Sequence, residues 1–437
     1  MGQNMRDSTR AWIVLSMLFL FMLINFADKA VIGLAALPIM KELHLTHAEF
    51  GTVGSAFFFL FSLSAILVGF LANHVSSKIV IAVMGLIWAL AQFPMIGAVS
   101  LSVLMASRIV LGAGEGPAFP VSIHAAYKWF PNDRRPLPTG IVTTGAAIGL
   151  GVVAPMITWI ILSFGWHAAF GALGIVGLIW VLIWMVVSKE GPLDARQIEG
   201  GGGGMARVPY FDLLTAPTVV GVLVGEFVAY YALALWIVWL PAFLVKVGGF
   251  TPTQVGWIIV LPAALQVVLF PGAGIVSQRL CSRGASSRVA RGLLGGGCVA
   301  FAGVAMMLLS KSSGAFEQIL LVTVAFSVGA VFYITGTSLI GEISPIRQRG
   351  AMLGICNAVY SAAGIIAPWI MGHIIDVGTN PAAGYRNGFL LGGGIVVVGG
   401  IVATILINPE SDLARFRKHD LASRGGSVPS KGSMLSK

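Results

Sequence analysis

Charge is what this sequence has least of. Asp, Glu, Lys and Arg make up 10% of its 437 residues, where soluble domains carry about 25%. With 57% hydrophobic residues and a mean hydropathy of +0.90, a particle in water would be left with far too much apolar surface. Lipid is therefore the solvent for most of the chain. Cysteine is scarce as well. Cys281, Cys298 and Cys356 show neither pairing nor metal-ligand spacing, which excludes a disulfide scaffold and a cysteine-rich metal site. They read as free thiols, Cys281 in a loop and the other two within helices. There is no HExxH, no GxSxG and no paired Cys/His set, so the motifs a membrane enzyme needs are missing. No filter-like loop of the kind that lines a channel is evident. A cleaved signal peptide does not fit the N-terminus either, because the apolar run from Ala11 is too long and contains an ion pair, Asp28-Lys29.

What is present is a series of apolar runs, each about the 20 residues a helical span needs. They predict helices over 11–37, 50–72, 78–98, 101–128, 137–163, 166–187, 216–244, 253–276, 290–310, 316–341, 350–374 and 386–407. The fold class expected is an all-α membrane protein with twelve transmembrane helices in two six-helix bundles. Short breaks carry Pro, Gly, Asn and Asp, as in Pro131-Asn132-Asp133. The one long break includes five consecutive glycines, Gly200 to Gly204, a flexible linker by composition. The expected organisation is thus an N-terminal bundle over 1–188, a cytoplasmic linker over 189–215, a C-terminal bundle over 216–408 and a flexible cytoplasmic tail over 409–437.

Lys and Arg placement sets the orientation. With the N-terminus inside, 21 of them fall on inner segments and the tail, and 4 (Lys41, Lys246, Lys311 and Arg386) on outer ones. Both termini are expected to be cytoplasmic, in a bacterial inner membrane. This topology accounts for the net charge of +10 without any nucleic-acid partner. The expected partners are the bilayer, a small solute and protons, with the protein working as a monomer.

A weak internal repeat is visible. Gly69-Phe-Leu-Ala-Asn73-His74-Val-Ser-Ser77-Lys78 follows predicted helix 2. Gly274-Ile-Val-Ser-Gln278-Arg279-Leu-Cys-Ser-Arg283-Gly284 follows predicted helix 8. Repeated halves of this kind suit rocking about a midplane site. These two loops resemble the helix 2–3 and helix 8–9 signature of the major facilitator superfamily. Further strings resemble its anion:cation symporter branch of hexuronate, galactonate and phthalate-type permeases. They are Asn25-Phe-Ala-Asp28-Lys29, Arg108-Ile-Val-Leu-Gly112-Ala-Gly-Glu115-Gly-Pro-Ala-Phe-Pro120, Trp129-Phe-Pro131, Gly165-Trp166 and Gly354-Ile-Cys-Asn357 with Gly364 and Pro368. The resemblance implies the major facilitator fold and proton-coupled symport by alternating access, powered by a proton gradient with no cofactor. Two departures stand out. Asn73 and Gln278 occupy loop positions where the family usually has aspartate, and Lys29 follows Asp28 where the branch usually has arginine. Lys29 would bind a carboxylate as a point charge rather than a fork. The loop residues Asn73, Lys78, Gln278 and Arg279 are gate candidates, and the lost aspartates predict a weaker inner gate with a shifted resting state.

Charges within a bilayer are costly and by default face a cavity. Asp28, Lys29, Arg108 and Glu115 lie deep in predicted spans. Arg108 and Glu115 are seven residues apart, so two turns put them on one face about 10 Å apart. They can share a cavity without pairing with each other. Asp28 and Lys29 point roughly 100° apart on their helix, which favours different roles. In the functional reading, Lys29 and Arg108 attract a substrate carboxylate while Asp28 and Glu115 take up and release a proton. The alternative is that all four tie predicted helices 1 and 4 to their neighbours. Glu226, about ten residues into predicted helix 7, is a further proton-site candidate. Glu342, ahead of Ser344-Pro345, reads as a cap or gate pair at an inner helix end. His44 and His47 fall in the first outer loop.

The resemblance places cavity positions at Phe26, Phe57, Phe61, Ala146, Tyr230, Gln266, Tyr333, Asn357, Tyr360 and Ser361. Of these, Phe26, Phe61, Tyr333, Asn357, Tyr360 and Ser361 join Lys29 and Arg108 as substrate-binding candidates. A Phe wall cannot satisfy many hydroxyls, at roughly 1–3 kcal/mol for each one left unpaired. That favours an aromatic or short aliphatic carboxylate. A sugar-acid (hexuronate or aldonate) symporter and an anion exchanger or exporter remain as alternatives. Gly140, Gly145, Gly149 and Gly151 have small-residue spacing for close helix contact. Pro155, Pro262, Pro271 and Pro368 can kink their helices.

Overall fold

The computed structural model describes residues 2–71, 75–130, 136–192, 208–345 and 348–423. They form twelve helical spans. α1 is Gly2–Leu34, followed by the short Ala36–Glu42, and then come α2, His47–Leu71, and α3, Ser77–Gln92. α4 runs as Leu101–Glu115 and continues as Ala118–Tyr127, α5 as Pro136–Gly151 and Ala154–Phe164, and α6 as Trp166–Val187. The second six begin with α7, Pro217–Val238 and Leu240–Lys246, and α8, Pro252–Ile258 and Val260–Ser282. α9 opens with a π-helical stretch, Arg288–Leu293, before Leu294–Lys311. α10 is Ala315–Ser327 and Val331–Ile343, α11 is Arg349–Ser361 and Ala363–Asp376, and α12 is Pro381–Leu406.

Among the described residues, eleven helices are long and apolar enough to cross a membrane. α4 is interrupted at Gly116-Pro117, where proline has no N–H to continue the ladder. Elsewhere the local sequence explains the boundaries. Pro252 and Pro381 open α8 and α12 at a position whose N–H is unused, behind the side-chain caps Thr251 and Asn380. Gly165, at φ 86°, supplies the left-handed residue between α5 and α6.

Three expectations change. Cys281 lies in the last turn of α8 rather than in a loop. α12 starts at Pro381, earlier than the apolar run, because a capped turn needs no hydrophobic residues. The tail read as flexible begins with a helix, α13, Pro409–Ser423. Its Asp412 is buried and accepts from the Thr218 N–H of α7 at 2.9 Å, a packing contact invisible in a polar sequence. Asn73, the Gly200–Gly204 run and the tail beyond residue 423 lie outside the described residues.

Without a hydrophobic force between helices in lipid, close van der Waals packing has to hold them. α9 and α12 pack together most extensively. Glycines face each other there, so that a Cβ on Gly303 would come within 2.7 Å of the Gly393 carbonyl. Gly145 and Gly149 let α5 close on the α1 backbone, whereas Gly140 meets nothing within 4 Å. Phe59, Leu63 and Leu67 form an exposed stripe on α2 at one-turn spacing, a lipid-facing surface.

The first six spans meet the last six mainly through α2–α11, α5–α8 and α1–α7. Many of these contacts lie on the side away from the Lys/Arg-rich loops. There Gly33 fits against Ile237, Gly51 against Pro368 and Gly151 against Ala263. Asp376 at the end of α11 accepts from the His47 and Ala48 N–H groups, at 3.2 and 2.7 Å, and pairs with the His47 ring at 2.8 Å. This clasp joins the two halves of the chain at that end.

Candidate functional site

The four intramembrane charges converge. α1 presents Asp28 and Lys29, α4 presents Arg108 and Glu115, and all four are at most 4% exposed. Lys29 Nζ pairs with Glu115 Oε2 at 2.7 Å and donates to Asn25 Oδ1, one turn earlier, at 2.5 Å. Its ammonium sits over the Phe26 ring at 4.5 Å, with the Phe61 and Phe57 rings at 5.4 and 5.6 Å. Those rings hold a cation by their faces, so they support Lys29 instead of forming a purely apolar wall. Within the Phe run of α2, Phe57, Phe58 and Phe61 are buried and Phe59 points outward.

Arg108 reaches the other way. Its Nη2 donates to Gln92 Oε1 of α3 at 3.0 Å and its guanidinium lies 5.1 Å from the Phe170 ring of α6. Asp28 stands in the field of Glu115, Arg108 and Lys29. Gln92 lies within hydrogen-bonding reach of Asp28, while Glu115 Oε1 and Arg108 Nε have no hydrogen-bond partner among the described residues. Such atoms are rare in native interiors, and here they cluster in one place. Two carboxylates and two cations make the group electrically neutral. Lys29 and Arg108 line a narrow space with Ile32, Gly54, Phe57, Phe58, Ile237 and Val238, where the two halves of the chain face each other.

On the opposite wall, α7, α10 and α11 bring Tyr230, Tyr333 and Tyr360 together, with ring centroids 5.5 Å apart for Tyr230–Tyr360 and 6.0 Å for Tyr333–Tyr360. Tyr360 Oη donates to Asn357, and Tyr333 Oη has no hydrogen-bond partner among the described residues. Ser361 is engaged elsewhere, its hydroxyl 2.6 Å from that of Ser62 across the α2–α11 contact. Gln266 likewise donates to the Phe326 carbonyl at 2.9 Å. Glu226 is buried on α7.

Of the loop residues, Lys78 donates from Nζ to the Met185 carbonyl at 2.7 Å, while Gln278 and Arg279 are exposed at the end of α8. A carboxylate held at this end of the first six helices is Glu190. It accepts from Ser76 Oγ at 2.7 Å and Ser77 N at 3.2 Å and pairs with Lys128. Burial pushes its carboxyl up, but the bonds from Lys128 and Ser76 outweigh this and hold it at about 2. Glu410 accepts from Ser287 N at 2.5 Å in the corresponding place after α12, and Glu342 pairs with Arg291 at 2.5 Å. Sequence reasoning gave no role to Asn25, Gln92, Glu190 or the His47–Asp376 pair. Gln92 left a usable signal, an amide inside an apolar span. No group of three or more His, Cys, Asp or Glu among the described residues is placed to hold a metal ion.

Comparison with known proteins decides the family. The sequence model of the Major Facilitator Superfamily matches residues 18–315 and 222–429. This chain belongs to the major facilitator superfamily. Superfamily relatives similar to it along nearly their whole length include a probable sulfoacetate transporter of Cupriavidus necator, 28% identical over 91% of this chain and 94% of the relative. A D-galactonate transporter of Escherichia coli is 29% identical over 89% and 95%. A hexuronate transporter of Bacillus subtilis is 26% identical over 91% and 94%. Among solved structures, an inward-facing bacterial homologue of the human lysosomal transporter Spinster superposes with a TM-score of 0.74 at 18% identity, over 93% of this chain and 98% of that one. The nucleoside transporter NupG does so with 0.69 at 13% identity, over 90% and 100%. Both share the fold. The protein is a multi-pass superfamily transporter, and its relatives fall in the organic-anion branch that the α4 string resembles.

Proposed function

We propose that this transporter is a proton-coupled symporter that takes up a small organic anion, with the α1–α4 charge cluster as its coupling site. The observation that carries this reading is the buried, electrically balanced set built around the 2.7 Å Lys29–Glu115 pair. An arriving carboxylate competes with Glu115 for Lys29 and leaves a neutral cluster one negative charge in excess. In a low-dielectric site that excess is expensive. A proton on Glu115, or on Asp28 beside it, removes the excess. Anion and proton therefore bind best together, and symport is that linkage combined with alternating access. The first and second six helices, over 1–188 and 216–408, are the two bodies that rock, with 189–215 joining them. The Lys/Arg-rich face is the cytoplasmic one, in a bacterial inner membrane.

Arg108 and Lys29 hold the anionic end, with Phe26 and Phe61 supporting the ammonium. Tyr333, Asn357 and Tyr360 offer hydroxyl and amide groups to the remainder of the solute. The names of the relatives, which include sulfoacetate, galactonate and hexuronate transporters, favour a hydroxylated or otherwise polar acid of the sugar-acid type over an aromatic one. A thermal-shift panel of purified protein at mildly acidic pH tests this with aromatic monocarboxylates, dicarboxylates, sugar acids and sulfonates. Stabilisation by sugar acids, lost in Arg108→Ala, is the expected result. Stabilisation by aromatic acids alone would restore the Phe-wall reading, and stabilisation by no anion would overturn the site.

A further inference from the structure

Glu226 sits on α7, away from the cluster that binds the anion, and is 3% exposed. It makes no hydrogen bond or ion pair among the described residues. A Cβ on Gly336 would come within 2.7 Å of its Oε1, so the carboxyl lies against the α10 backbone. The titratable groups in its field are Tyr333 of α10 and Tyr360 and Cys356 of α11. None of these is a cation. On its own helix Tyr230 follows one turn later, on the same face.

Glu115 and Asp28 have Lys29 and Arg108 to balance them, whereas Glu226 has nothing comparable. An unbalanced carboxylate buried in a membrane protein is costly enough that it marks a proton or ion route by default. Tyr230 provides the connection. Its phenol stands in the field of Glu115 on the other half of the chain, and its ring lies 5.5 Å from that of Tyr360 beside Glu226. Tyr230 is thus the residue one turn from Glu226 on α7 whose phenol the field of Glu115 reaches.

We infer that Glu226 is a second proton station of the transport cycle, in exchange with Glu115 through the hydroxyl of Tyr230. This rests on the proton-coupled reading above. When the cavity opens to the basic side, Glu226 gives its proton to water there. Glu115 then passes its proton to the Tyr230 oxygen as the phenol proton moves to the Glu226 carboxylate. The phenol ends neutral, Glu226 ends as the acid, and Glu115 ends ionised and pairs again with Lys29. A hydroxyl suits this step because it accepts and donates at the same oxygen.

The test uses full-length protein in vesicles, with a substrate found by the panel. The readout is the ratio of uptake driven by a pH gradient to counterflow, which needs no net proton movement. Glu226→Gln and Tyr230→Phe are close in shape to the native residues. Each is expected to lower the ratio by about tenfold or more, the scale of a lost proton-transfer group. Wild-type ratios in both variants, alongside a lowered ratio in Glu115→Gln, would overturn the inference and leave the proton-coupled reading standing. No response to a pH gradient in the wild type would instead remove that reading. An equal loss of both activities, with unchanged melting temperature, would make Glu226 and Tyr230 substrate contacts and also overturn the inference.

Discussion

Replacing Glu115 with glutamine separates the two jobs of the Lys29–Glu115 pair. The charges stand 2.7 Å apart and almost fully buried, so at an effective dielectric of 20 they attract by roughly 6 kcal/mol. A neutral amide keeps a hydrogen bond worth about 0.5–1.5 kcal/mol. If relaxation and altered solvation offset half of the difference, about 2.5 kcal/mol of competition against the substrate carboxylate is lifted, a factor of about 60 in affinity. The gain should show where the wild-type carboxyl is ionised, and vanish at acidic pH where Glu115 is already neutral. Titrating substrate into Glu115→Gln by calorimetry across pH should give an affinity that is high and nearly flat. The wild type should fall away as pH rises. Counterflow should persist and gradient-driven accumulation should be lost. A variant with the wild-type pH dependence, or one that loses counterflow too, would refute the assignment of Glu115 as the group that trades a proton for the anion.

Other consequences follow from the same contacts. Gln92→Leu removes the acceptor of Arg108, a bond to a charged group worth about 1.5–3 kcal/mol, so substrate affinity should drop by about tenfold or more, with Gln92→Glu recovering much of it. Asp376→Ala removes the acceptor that caps α2 from α11 and should shift the protein towards opening on the far side, read as faster labelling of Ser55→Cys from that side. Gly112→Ala drives a methyl into the Phe57 carbonyl of α2 and should cost folded yield and melting temperature, by about 1–3 kcal/mol of overpacking. Glu190 is held at about 2, below its unfolded value of about 4.3. Its contribution is therefore complete above that unfolded value and is lost only as pH falls towards about 2. Because the side chain is 38% exposed, the contribution is small. Glu190→Gln should leave the transport pH profile unchanged between about pH 5 and 8.

Much of this protein is written plainly in its sequence. Lipid forces every backbone polar group into a helix, so apolar run length alone marks the spans, and a buried charge is conspicuous among apolar neighbours. That is why Asp28, Lys29, Arg108 and Glu115 stand out. Who pairs with whom was hidden. The seven-residue spacing places Arg108 and Glu115 on one face but says nothing about α1 lending Lys29 to Glu115, or α3 lending Gln92 to Arg108. Those pairings depend on which helices pack side by side. Phe57 and Phe61 show the same limit, since their composition suggests an apolar wall while their position makes them a support for an ammonium. The buried end of α13 was missed because Asp412 is polar, and only the fold shows the α7 N–H it caps.

The most direct test of the account is to count protons as the anion binds. Calorimetry of the purified wild type in buffers of different ionisation enthalpy, near neutral pH, gives the number taken up per substrate bound. The account predicts about one proton per anion in the wild type, falling towards zero in Glu115→Gln. Binding of the anion with no proton uptake in the wild type would contradict it.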